Sequence, residues 1–109
     1  MAKQQAWELY NRLVVLLTHL LKWRYQSRYQ GPSWELTIKN QRAELSKQYR
    51  QAPSLKSVEQ QEFLDAYDKA RREASRETQL KIEVFPEEPP FTLAEARHSE
   101  FWPAAVDQD

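Results

Sequence analysis

Cysteine is absent from the 109 residues, and glycine occurs once, at Gly31. The first absence excludes a disulfide framework, a thiolate metal site and a cysteine nucleophile, so stability has to come from packing, and a reducing compartment, the cytoplasm, suits the chain. The second excludes the Gly-rich phosphate loops of the common nucleotide-binding types. A long apolar run is missing as well. The strongest, Leu13 to Leu17 with a weaker extension to Leu21, falls far short of the roughly 20 residues that cross a bilayer. No small-residue cleavage site follows it before Lys22-Trp23-Arg24, so neither a signal peptide nor a membrane partner is expected. No set of His, Asp and Glu has metal-ligand spacing: Glu87-Glu88 adjoin prolines with no third ligand nearby, and no metal or other cofactor is implied. The length supports one compact domain over residues 1–109 with a modest core.

What is present is helical. Ala, Leu, Glu, Gln, Lys and Arg are abundant and β-branched residues scarce, a helix-forming composition. Apolar residues at Ala6, Leu9, Tyr10, Leu13, Leu16, Leu17, Leu20 and Leu21 form a stripe that Val14, Val15 and Trp23 widen. This predicts a central helix over about 1–25, covered on two or more sides. Gly31-Pro32-Ser33 then separates a second helix over about 33–51, with Ser33 as its N-cap and Trp34, Ile38, Leu45 and Tyr49 facing inward. Arg42 or Gln41 falls close to that seam. A third helix over about 57–78 starts at the capping box Ser57-Val58-Glu59-Gln60 and carries the narrow face Phe63, Leu64, Tyr67, Ala70 and Ala74. The alternating Leu80, Ile82, Val84 and Phe85, followed by Pro86, Pro89 and Pro90, reads as an extended Pro-rich arm over 80–91. Thr92-Leu93-Ala94-Glu95 opens a short last helix over about 92–102, before a frayed tail at 104–109. The fold class is therefore all-α: a small helical bundle of three main helices plus a short C-terminal helix.

Balanced charge, 16 Lys and Arg against 16 Asp and Glu, hides a division: residues 1–56 carry +7 and residues 57–109 carry −7. Such halves either neutralise each other within the fold or orient a contact with another molecule. Two constellations bear on chemistry. Arg12 and His19 lie seven apart on the first helix, an Arg-x6-His spacing used by small helical ribonucleases, in which His acts as general base and Arg holds phosphate. Against this, Leu13 stands where such enzymes carry a polar residue, and His19 sits in a leucine run, as a packed structural histidine does. His98 stands apart and is expected to be exposed. The second constellation, Lys22, Trp23, Arg24, Arg28 and Tyr29 together with Tyr25, interleaves cations with rings and suits either base stacking with phosphate contacts or closure of one end of the bundle.

The blocks Leu16-Leu17-Thr18-His19-Leu20-Leu21-Lys22-Trp23-Arg24-Tyr25, Ser33-Trp34, Thr37-Ile38 with Gln41-Arg42, and Ala52-Pro53-Ser54-Leu55, extended by Phe85 through Leu93, resemble the domain of unknown function 29 family over roughly residues 9–103. The resemblance implies a bacterial, mainly cyanobacterial-type, α-helical cytosolic protein, and brings no established activity and no agreed catalytic residues. Relatives carry an additional N-terminal region rich in acidic and aromatic residues, and the match is to the central and C-terminal part of the family. The expectation is that Leu9, Leu13, Leu16 and Leu20 lack their cover and form an interaction strip; the alternative is a truncated gene product. The leading functional reading is thus a small interaction module that self-associates or docks on a protein partner. The alternative is an RNA-binding protein through Lys22, Trp23, Arg24, Arg28 and Tyr29, or a weak Arg-x6-His type ribonuclease of the toxin-antitoxin kind.

Overall fold

A computed structural model describes residues 2–106 of the chain. Helix α1 spans Ala2–Tyr25, α2 Pro32–Gln51, α3 Glu59–Thr78 and α4 Leu93–Arg97, with single 3-10 turns at Ser27–Tyr29, Pro53–Ser57 and Ile82–Val84. Among the described residues there is no strand, and the fold is all-α.

The leucine stripe dictates the arrangement. Leu9, Leu13, Leu16, Leu17, Leu20 and Leu21 are each 0% exposed, because α2, α3 and α4 all pack on α1. The α1–α3 interface is the largest. Ala66, Ala70 and Ala74 of α3 are fully buried in it, and their small side chains let the two backbones run close together. Phe63 and Tyr67 fill the wider part of the same face. Leu64, expected on that face, is instead 44% exposed: one position after Phe63, it is rotated out of a stripe that is only one residue wide. From α2 come Ile38, Leu45 and Tyr49, all buried, and the Gln48 Nε2 donates to the Gln5 carbonyl at 2.9 Å, tying the end of α2 to the start of α1.

Local signals placed the elements well and the caps less well. Gly31 is the N-cap residue of α2 with Pro32 at the first helical position, and no side chain caps it. Ser33 therefore lies inside the helix, since the fixed φ of proline already suits the first turn. Likewise Ser57 does not cap α3; its hydroxyl donates to the Ser54 carbonyl at 2.9 Å within the 3-10 turn, and Val58 takes the cap position without a side-chain bond. At the other end of α3, Gln79 adopts the left-handed conformation (φ 65°) and returns its N–H to Ser75, a helix stop usually given to glycine or asparagine. The capping box at Thr92 and Glu95 is formed in both directions, at 3.0 and 2.9 Å.

Residues 80–91 are not the extended arm that alternation predicted. They contain the 3-10 turn Ile82–Val84, held by α3: the Arg71 Nε donates to the Phe85 carbonyl at 2.8 Å and the Tyr67 hydroxyl to the Pro86 carbonyl at 2.6 Å. Phe85 inserts fully into the core, edge-on to Tyr25 with ring centroids 5.4 Å apart. The last helix stops at Arg97 rather than near 102, because the buried Arg42 draws the Ala96 and Phe101 carbonyls to its Nε and Nη2 at 2.8 and 2.7 Å. Nor are residues 104–106 frayed. The Val106 N–H donates to the Arg24 carbonyl at 2.7 Å and the Arg24 Nη1 to the Ala104 carbonyl at 3.0 Å; the rest of the expected tail, 107–109, lies outside the described residues.

Candidate functional site

Burial settles first where the interaction strip is not. Leu9, Leu13, Leu16 and Leu20 are wholly enclosed by the chain's own helices, so they offer nothing to a partner; the cover comes from α2, α3 and α4. The surface of α1 is the opposite edge. Trp7, Asn11 and Val15 follow one another at intervals of four, along one side of the helix. Trp7 is 64% and Val15 37% exposed. With Glu8, Arg12 and Gln41 they line an open groove of about 390 Å³ between α1 and α2. Trp7 is braced by a stack on Tyr10, centroids 5.6 Å apart. Arg12 bridges the groove, 3.4 Å from Glu8 on its own helix and 3.6 Å from Glu44 on α2. Its Nε, like the Gln41 Oε1, is buried without a hydrogen-bond partner among the described residues, an exception in a folded chain. The stripe pattern passed over Trp7 because it lies beside the stripe; a tryptophan off the apolar face was the signal.

Arg12 and His19 have different surroundings. His19 does not line the Arg12 groove, and its Nδ1 is bonded at 2.8 Å to the Val15 carbonyl of its own helix. Burial pulls its pKa below the usual 6.5, with Lys22 adding to the drop, while the Val15 bond and Glu77 work against it. The folded chain thus binds this proton less well than the unfolded chain, so the contribution is intact above about pH 6.5 and is lost as pH falls below it. In His19→Gln, the decline of Tm between about pH 6.5 and pH 5 is expected to be shallower than in the wild type; parallel thermal-melt profiles would contradict this.

The cation–aromatic cluster is largely used up inside the fold. Lys22 is 8% exposed, paired with Glu77 at 2.8 Å and placed 5.0 Å from the Trp34 ring centroid. Trp23 packs on Trp102 at 4.6 Å. Arg24 holds the Tyr25 hydroxyl at 3.1 Å besides Ala104. Arg28 and Tyr29 alone remain exposed, the guanidinium 5.6 Å from the ring centroid. Among the described residues, Lys22–Glu77 is the one ion pair that joins the +7 and −7 halves, so most of that charge stays at the surface.

A second cleft, of about 580 Å³, opens between α2 and the turn after α4. Its floor is Arg42, 5% exposed, with Trp102 on one side at 5.3 Å. Arg97 borders it, stacked 3.8 Å from the Tyr49 ring centroid and 3.8 Å from Glu59, whose carboxylate also accepts from the Tyr49 hydroxyl at 2.8 Å. Burial and that bond push the Tyr49 pKa up, keeping the phenol protonated. His98, exposed as expected, is on its rim. Among the described residues no three His, Asp or Glu side chains converge on a possible metal position, and no helix is long and apolar enough to cross a membrane.

The model of the family described as domain of unknown function DUF29 matches residues 1–102. The chain belongs to that family. The match takes in the whole of α1, rather than the central and C-terminal part alone, and reaches through the DUF29 helices to the Arg42-bound segment. A search of the curated proteins found no match, and no solved structure matches. Membership in DUF29 assigns no activity, so the groove on α1 and the cleft on α2 stand on their own geometry.

Proposed function

We propose that the protein is a helical interaction module of the cytoplasm that pairs with a second copy of itself through the Trp7–Asn11–Val15 face of α1. The observation that carries this reading is the 64% exposure of Trp7 at the mouth of a groove, since tryptophan is among the residues that anchor interfaces. A second copy fits because the patch is self-complementary. It holds both signs of charge, Glu8 and Glu44 with Arg12, and neutral amides at Gln4, Asn11 and Gln41, which gives a strongly basic or acidic partner no advantage. Trp7 and Val15 lie about 12 Å apart along the helix. A two-fold axis at Asn11 then sets each Trp7 against Val15 of the other copy, as an isologous contact requires.

Size-exclusion chromatography with light scattering over a wide concentration range tests this. The wild type is expected to run as a dimer and Trp7→Glu as a monomer with unchanged helical circular dichroism. A wild type that stays monomeric throughout overturns the reading.

A further inference from the structure

The cleft over Arg42 has an electrostatic character that the α1 groove lacks. Lys39, Arg42 and Arg97 line it, with the hydroxyls of Ser46 and Ser99 and the imidazole of His98; Glu100 is the one carboxylate among its lining residues. Arg42 is the least ordinary member. Its side chain is buried, with no carboxylate in ion-pair range among the described residues; its Nε and Nη2 satisfy backbone carbonyls, and its Nη1 is buried without a partner. A buried permanent cation whose charge no anion offsets is costly. The desolvation is visible in its pKa, which burial lowers with no compensating charge.

The other cations of the cleft are only loosely committed. Lys39 is 3.9 Å from Glu35 and Arg97 3.8 Å from Glu59, at the outer limit of ion pairing, and the Arg97 Nε is itself buried and unpartnered. His98 accepts the Glu100 N–H on Nδ1 at 3.0 Å, so its neutral form carries the proton on Nε2 and remains a donor. Glu35 and Glu59 partly offset Lys39 and Arg97 from the edge of the cleft, so Arg42 is the cation there that no carboxylate answers, and the hydroxyl and imidazole donors need oxygen acceptors. A tetrahedral dianion answers both requirements. The volume of about 580 Å³ is ample for a phosphate and the group that bears it.

We propose that the cleft formed by Lys39, Arg42, Ser46, Arg97 and His98 is a binding site for a phosphate monoester, with Arg42 as its preorganised cationic floor. A phosphodiester offers two unesterified oxygens rather than three to these donors and is the poorer match. The site lies on α2 and the turn after α4, and does not depend on pairing through α1.

The test is a titration of the full chain with O-phospho-L-serine, followed by amide chemical shifts at constant ionic strength, with L-serine and inorganic phosphate as companions. Shifts are expected at Ala43, Ser46, His98 and Ser99 with O-phospho-L-serine and more weakly with phosphate, and not with L-serine. A phosphoserine peptide against its unphosphorylated form separates a free metabolite from a modified protein as the source. Lys39→Glu is expected to weaken binding at least tenfold, whereas Lys47→Glu, the same charge change on α2 outside the cleft, leaves it within twofold. Both positions are exposed, so folding is preserved. Absence of shifts in the cleft, equal loss in the two variants, or binding of an RNA oligonucleotide without binding of the monoester overturns the proposal.

Discussion

Leu16→Ala is expected to lower the free energy of unfolding by about 3 to 5 kcal/mol, the range for leucine truncation at sites that cannot collapse around the cavity. Leu16 is 0% exposed on the helix that every other helix packs against, so no single neighbour can move in to fill the space. For a domain whose total stability is about 5–15 kcal/mol, that is a large share. Urea unfolding with an unchanged m value would measure it. The glutamate variants Leu13→Glu and Leu16→Glu should go further and leave no folded protein, because a carboxylate would be enclosed without a partner. Trp7→Glu, by contrast, should change stability by less than about 0.5 kcal/mol, as surface substitutions do, when both proteins are compared at a concentration where they are monomeric. The pair distinguishes the two faces of α1: one face holds the chain together and the other is free to meet a partner. A loss below about 1 kcal/mol in Leu16→Ala would contradict the burial on which this division rests.

Arg42→Met is the second large effect. The guanidinium holds the Ala96 and Phe101 carbonyls at 2.8 and 2.7 Å and lies against Trp102. Methionine keeps the apolar stem and removes both bonds, leaving two acceptors without their donor. A loss of about 2 to 4 kcal/mol is expected, given that bonds to a charged donor are worth about 1.5–3 kcal/mol each and are not additive. Amide exchange should rise selectively in residues 98–106, the segment Arg42 fastens. Lysine should rescue little, because one ammonium cannot present the fork that reaches two carbonyls. Uniform exchange across the chain would show that the residue supports the whole fold rather than this segment.

Helix existence was legible because the apolar spacing of α1, α2 and α3 has only one geometry that buries it, and the breakers Gly31-Pro32 and Pro53 stand where the helices part. That Arg42 or Gln41 falls near the seam was legible for the same reason, and Arg42 is the one that is buried. What could not be read was the partner of each polar group. Nothing local says that Lys22 turns to Glu77, 55 positions away, or that Arg42 takes carbonyls 54 and 59 positions on. Those pairings removed most of the cation–aromatic cluster from the surface and cut α4 short. The supposed lack of a cover for Leu9, Leu13, Leu16 and Leu20 failed on the same ground: most of the cover is α3, distant in sequence, with α2 and α4 completing it. The 80–91 segment misled because alternation alone cannot tell an extended strand from a 3-10 turn followed by carbonyls, Phe85 and Pro86, that Arg71 and Tyr67 collect.

The central place of α1 also bears on how the chain is made. Its leucines leave the ribosome well before their main cover, the helix that begins at Glu59. At about 5–20 residues per second, the stripe waits several seconds before its cover is synthesised. During that interval the nascent chain is a positively charged amphipathic helix with an open face, the form most exposed to aggregation and to chaperone capture.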